Sequence, residues 1–176
     1  MTRFYFNGKS CRSFGIYVSG SGTFNAPELD VTSYEIPGKN GDLIVSNGRY
    51  KNIVVSYPAF IRSDFKYNAA KARAWLLQPQ GYCRLSDDYH PEEFRLARFV
   101  GPIDFDMRFL NLSGETTLSF DCKPQRFLVH GEEKRIFTAP ASLWNDTLFT
   151  AKPLITVYGS GAGEMTIGDT TVSFSE

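Results

Sequence analysis

Strict alternation of apolar and polar residues, repeated in several short runs, is the feature that most narrows what this sequence can fold into. In Ile53–Ile61 the residues Ile53, Val55, Tyr57, Ala59 and Ile61 share one face. Thr117–Lys123 sends Leu118, Phe120 and Cys122 one way and Thr117, Ser119, Asp121 and Lys123 the other. Asp104–Phe109 repeats the pattern, with Phe105, Met107 and Phe109 opposite Asp104, Asp106 and Arg108. Successive strand side chains point to opposite faces, so these runs predict antiparallel strands with one buried and one solvated side. Pro58 has no N–H for a ladder, which predicts an edge or a bulge at that point.

Turn signals divide the runs. Pro37-Gly38-Lys39-Asn40-Gly41, between Val31–Ile36 and Asp42–Val45, reads as a hairpin tip. Asn47-Gly48 reads as a further tight turn that needs positive φ at both central residues, and Leu112-Ser113-Gly114 as the break between the two strongest strands. One helix is expected from Asp64 to about Gln78, capped by Ser63 or Asp64, with Phe65, Ala69, Ala72 and Leu76 as its apolar stripe and Pro79 and Gly81 ending it. The expected class is mainly β: an antiparallel β-sandwich or barrel with one covering α-helix. Pro140 to Pro153 marks a boundary, which gives a β domain over 1–139, a linker over 140–152 and short strands in 153–176. Those strands, Leu154–Tyr158, Glu164–Ile167 and Thr171–Phe174, either add to the first domain or begin a second.

Nineteen basic residues balance nineteen acidic ones, so the protein lacks the basic excess that phosphate neutralisation requires. Zero net charge also removes the self-repulsion that keeps copies apart. Cys11, Cys83 and Cys122 are odd in number and widely spaced, which reads as reduced thiols in a protein made in a cytoplasm. No apolar run has the ~20 residues of a membrane span, and the N-terminus lacks the apolar core of a secretory signal.

The search for chemistry assigns no catalytic, cofactor-binding or metal-binding residue. Asp87, Asp88, His90, Glu92 and Glu93 form the one dense polar cluster, but they surround His90-Pro91 between two strands, where such residues make turns. His130 precedes Gly131 with no nucleophile beside it, and a hydrolytic triad needs a base tied to a nucleophile. Asp104 and Asp106, two apart on a polar strand face, read as solvated charges and not as a glycosidase pair. Cys83 reads as a core thiol. Gly159-Ser-Gly-Ala-Gly163 fails the dinucleotide fingerprint because Glu164 stands where the third glycine belongs, and no helix pattern follows.

Several segments, taken in order, resemble the distal tail proteins of siphophages. They are Phe14-Gly-Ile-Tyr-Val18, then Tyr34-Glu-Ile-Pro37-Gly38-Lys39-Asn40-Gly41-Asp42, the turn Asn47-Gly48-Arg49-Tyr50, and Val54-Val-Ser-Tyr-Pro58. Trp75-Leu-Leu77, Gly81 to Tyr89 and Phe120 to Phe127 continue the likeness. Asn145 to Phe149, Lys152 to Ile155 and Tyr158 to Gly161 resemble that family's crossing into its second domain.

The resemblance implies a virion protein of the tail tip or baseplate, assembled in the host cytoplasm as a homo-hexameric ring. Its partners would be the tail-tube protein, a tail-associated protein of the Tal type and receptor-binding proteins. No membrane and no specific nucleic acid are implied, although DNA would pass through the ring. The family adds a second, galectin-like β-sandwich, of which this sequence holds the first strands, as a truncated piece or as a member with a reduced C-terminal part. The hairpin at Pro37, Gly38, Lys39, Asn40, Gly41 and Asp42 is the candidate arm between subunits, set against a hairpin folded on its own domain. The rival reading is a monomeric carbohydrate-binding module that offers Tyr and Trp as sugar platforms.

Overall fold

The run Ile53–Ile61 forms one continuous strand, and it lies antiparallel to Ser113–Cys122 from Ile53 opposite Cys122 to Ile61 opposite Gly114. All five apolar residues of the first strand, and Leu118, Phe120 and Cys122 of the second, are buried, as the alternation requires. This computed structural model describes residues 2–20, 24–108, 112–138, 140–145, 147, 149–151 and 153–175. It divides into two compact units, Met1–Lys134 and Arg135–Glu176.

In the first unit the strands are β1 (Phe4–Phe6), β2 (Lys9–Ser10), β3 (Tyr17–Val18), β4 (Leu29–Tyr34), β5 (Leu43–Tyr50) and β6 (Ile53–Ile61). After helix α1 (Phe65–Leu77) come β7 (Cys83–Asp87), β8 (Glu93–Phe99), β9 (Asp106–Arg108), β10 (Ser113–Cys122) and β11 (Phe127–Leu128). Nine of these make one antiparallel sheet in the order β2-β1-β7-β8-β10-β6-β3, with β11 added to β8 and β9 to β10. Among the described residues the strands β4 and β5 pair only with each other. The protein is mainly β with one helix, the class that the alternation predicts.

The sheet is strongly coiled. Four inter-strand spacings separate β1 from β6, about 19 Å in a flat sheet. Yet the rings of Phe4 on β1 and Tyr57 on β6 stack with centroids 4.8 Å apart. Phe120 meets both Phe4 (5.5 Å) and Phe6 (5.1 Å), so the concave side closes on an aromatic cluster. Helix α1 covers that cluster with Phe65, Ala69, Ala72 and Leu76, the expected stripe, and adds Trp75. Trp75 stacks on Phe14 at 4.2 Å, and its indole N–H donates to the Phe6 carbonyl at 3.2 Å. Each fully buried aromatic of this kind contributes about 1.5–3 kcal/mol relative to exposure.

Pro58 sits where the missing donor does least harm. Its carbonyl accepts from Ser19 N–H at 2.8 Å on the β3 side, and in an antiparallel pair a residue's N and C=O face the same neighbour. The vacant position therefore lies at the end of a strand two residues long. No bulge is needed.

Four local expectations change. Asp104–Phe109 is strand only over β9, where Met107 is 59% exposed instead of inward; Phe105 is half-buried and meets Phe65 edge-on at 5.3 Å, and Phe109 lies outside the described residues. A three-residue strand held on one side by β10 cannot carry its alternation over the core. Ser113 and Gly114 open β10 instead of completing a turn, because the ring of Phe65 packs where a Gly114 side chain would stand. Neither Ser63 nor Asp64 caps the helix through its side chain; Asp64 has φ +49°, and Asn68 reaches back to the Ser63 carbonyl at 2.9 Å. Among the described residues of the second unit only β12 (Gly163–Ile167) and β13 (Thr170–Phe174) pair, while the expected strand Leu154–Tyr158 is without a ladder, Leu154 and Tyr158 being 95% and 91% exposed.

Candidate functional site

The β4–β5 hairpin is the part of the first unit whose side chains have least to bury against. All eight residues of β5 are exposed, among them Leu43, Ile44, Val45 and Tyr50; on β4 and just beyond it, Leu29, Tyr34 and Ile36 are exposed too. A two-stranded hairpin alone in water is marginal, and grouped exposed apolar side chains mark contact surfaces. Something internal has to hold this arm in shape.

That something is a polar clasp at its base. The register runs Tyr34 to Leu43, Ser33 to Ile44, Thr32 to Val45 and Val31 to Ser46, then slips so that Leu29 faces Tyr50. Asp30 alone thus opposes Asn47, Gly48 and Arg49. Arg49 and Asn47 both donate to the Asp30 carboxylate, and Asn47 also reaches the Thr32 hydroxyl at 3.4 Å. The hydrogen bond from Arg49, followed by that from Asn47, holds the Asp30 carboxyl below the usual carboxylate range. Gly48 has φ +68° and donates its N–H to Ser46 Oγ at 3.2 Å.

Asn47-Gly48 is therefore a bulge inside β5, not the reversal of direction that the dipeptide suggests. The left-handed backbone is read correctly at Gly48, but its use is to bend a strand. Of the signature residues, Asn47 and Arg49 clasp Asp30, Gly48 permits the bend, and Tyr50 lies exposed opposite Leu29.

At the far end Pro37, Gly38, Lys39, Asn40, Gly41 and Asp42 form the reversal, all of them exposed. Lys39 N–H closes the turn onto the Ile36 carbonyl at 3.1 Å, and Gly38 and Gly41 take φ +79° and +82°. Together with Glu35 and Ile36, Pro37, Lys39, Gly41 and Asp42 line an open hollow. The root is tied by Asn25 Nδ2 to the Val54 carbonyl at 2.7 Å and by Lys51 N–H to the Glu28 carbonyl at 2.8 Å.

The polar cluster at the β7–β8 turn has other work. Asp87 is buried and accepts from the Tyr57 hydroxyl at 2.7 Å and from the N–H groups of Tyr89 and His90 at 2.9 and 3.0 Å. Burial, with Asp87 adjacent, pushes the Tyr57 phenol well above its ordinary range. Asp88 pairs with Arg3 and Glu93 with Arg126. The cavity beneath, lined in part by Tyr57, Asp87 and Arg95, holds about 20 Å³, room for a single water. Among the described residues, no three His, Cys, Asp or Glu side chains stand together to hold a metal ion, and no helix is long and apolar enough to cross a membrane. Asp104 and Asp106 stay exposed, and His130 begins a short 3-10 turn, His130–Glu132.

Sequence reasoning located the tip, read the bulge at Asn47-Gly48 as a turn, and missed Asp30, the residue that ties Asn47 and Arg49 to β4. The available signal was a lone carboxylate in a run of β-formers, opposite a segment that holds both Asn and Arg.

No family model matches this sequence, and no curated protein matches it. The fold is similar to a solved structure described as SPP1 Dit (gp 19.1), "a Paradigm of Hub Adsorption Apparatus in Gram-positive Infecting Phages". The TM-score is 0.58 and the identity 13%, over 73% of this protein and 52% of that one. At such identity the likeness establishes a Dit-like fold. The matched region spans about half the length of that protein.

Proposed function

We propose that this protein is a structural, non-enzymatic component of a bacteriophage tail tip, six copies of which form a ring that joins the tail tube to the tip proteins. The observation that carries the reading is the combination of a Dit-like body with a hairpin arm whose β5 is exposed along its whole length. A six-fold ring needs heterologous contacts, one patch meeting a different patch on the next copy. An arm with two unpaired edges and exposed Leu43, Ile44 and Val45 supplies one such patch. In this reading the tube protein, a Tal-type protein and receptor-binding proteins are the neighbours along the tail, and 153–176 opens a galectin-like second sandwich.

Native mass spectrometry of the purified protein tests the proposal. The expected result is a hexamer, lost when Lys39 and Asn40 are deleted while the circular dichroism of the monomer is kept. Unchanged assembly after that deletion removes the arm from the interface. A protein that stays monomeric and is retained on a glycan array favours the carbohydrate-binding module instead.

A further inference from the structure

The sequence contains three Asn-Gly pairs, Asn7-Gly8, Asn40-Gly41 and Asn47-Gly48, and the fold treats each differently. We infer that Asn40 is a site of spontaneous backbone-assisted deamidation, and that the structure protects the other two. The inference is made for the unassembled protein, in which no second copy covers the tip.

The reaction needs only water. The Gly41 backbone nitrogen attacks Cγ of Asn40; a new N–Cγ bond forms, the bond from Cγ to the amide nitrogen Nδ2 breaks, and ammonia leaves with the proton of the attacking N–H. Water then opens the five-membered imide at either carbonyl, giving aspartate or isoaspartate. Nothing is oxidised or reduced. Ring closure is fastest where three conditions hold: the following residue lacks a Cβ, the Asn side group is free to turn, and the backbone at Asn can rotate.

Asn40 meets all three conditions. Among the described residues neither its side group nor the Gly41 N–H has a hydrogen-bond partner, and nothing lies within 4 Å of where a Gly41 Cβ would stand. Asn47 meets none but the first: its amide is held by Asp30 and Thr32, and the Gly48 N–H that would attack is donated to Ser46. Asn7 has its backbone fixed, at φ +50° in the two-residue turn between β1 and β2, with Phe6 registered on Lys9 and its own N–H donated to the Arg84 carbonyl at 3.0 Å. The product places a carboxylate between Glu35 and Asp42 at the tip.

Peptide mapping by mass spectrometry of the intact folded protein, diluted until it is monomeric and held at mildly alkaline pH, tests this. The Asn40 peptide should convert at least about tenfold faster than those of Asn7 and Asn47, the factor set by breaking a net hydrogen bond or two. In denaturant the three rates should converge, and Asn40→Gln should silence the tip. Asp30→Ala should raise the rate at Asn47 towards that at Asn40. Equal rates in the folded protein, faster conversion at Asn47, or an Asn47 rate unmoved by Asp30→Ala would each overturn the assignment.

Discussion

Cys122 has no exposed surface on β10, and burial raises its thiol to about 12; burial pushes Cys11 upward as well. The thiolate is the nucleophile, so a raised pKa and lost access act in the same direction. Cys83, half-buried on β7, is the thiol that solvent reaches. Alkylation of the folded protein at neutral pH should therefore label Cys83 first, and Cys11 and Cys122 only after unfolding; mapping the labelled peptides checks this, and early labelling of Cys122 would contradict its place in the core. That Cys122 faces inward was readable from alternation alone, since one neighbour on each side sufficed to set its face. The role of Asn47 was not readable in the same way. Its dipeptide specifies a backbone angle, but whether that angle reverses a strand or bulges it depends on Asp30, seventeen residues earlier.

Helix and sheet approach closely at Gly114. A Cβ built there would lie 2.5 Å from the ring of Phe65, and the backbone is ordinary extended strand, so the constraint is space alone. Gly114→Ala forces the helix start outward and should destabilise the fold by roughly 1–3 kcal/mol, the usual range for overpacking. Thermal or urea unfolding measures it, and combining the change with Phe65→Leu should recover part of the loss. The helix and its stripe were legible because the period of Phe65, Ala69, Ala72 and Leu76 is purely local. The glycine was misread as a turn because its cause is a ring 49 positions away on a different element. The same distinction separates the inward faces of β6 and β10, which matched expectation, from the segment around Met107, where a short partner and not the alternation decides exposure.

For the molecule as a whole, the sheet order is the part that no local pattern carried. β1 pairs with β7, Phe4 opposite Asp87, and that pairing draws the aromatic cluster together across more than 80 positions. Every residue of the described buried core lies between Phe4 and Cys122. A protein ended after Lys134 keeps that core entire and should unfold in one cooperative step. Circular dichroism on heating checks it, and a broad or multi-step transition would show that the core depends on residues 135–176.

The outermost strands of the nine-stranded sheet, β2 and β3, are two residues long. Such stubs give a stranger's backbone almost no ladder to extend. Those two ends offer little to strand addition, whereas the β4–β5 arm and the part of β6 beyond its two residues paired with β3 keep longer open edges. An arm that meets a different patch on a second copy makes a head-to-tail contact, which closes into a circuit only where the turn from copy to copy divides a full rotation, and otherwise runs on as a filament.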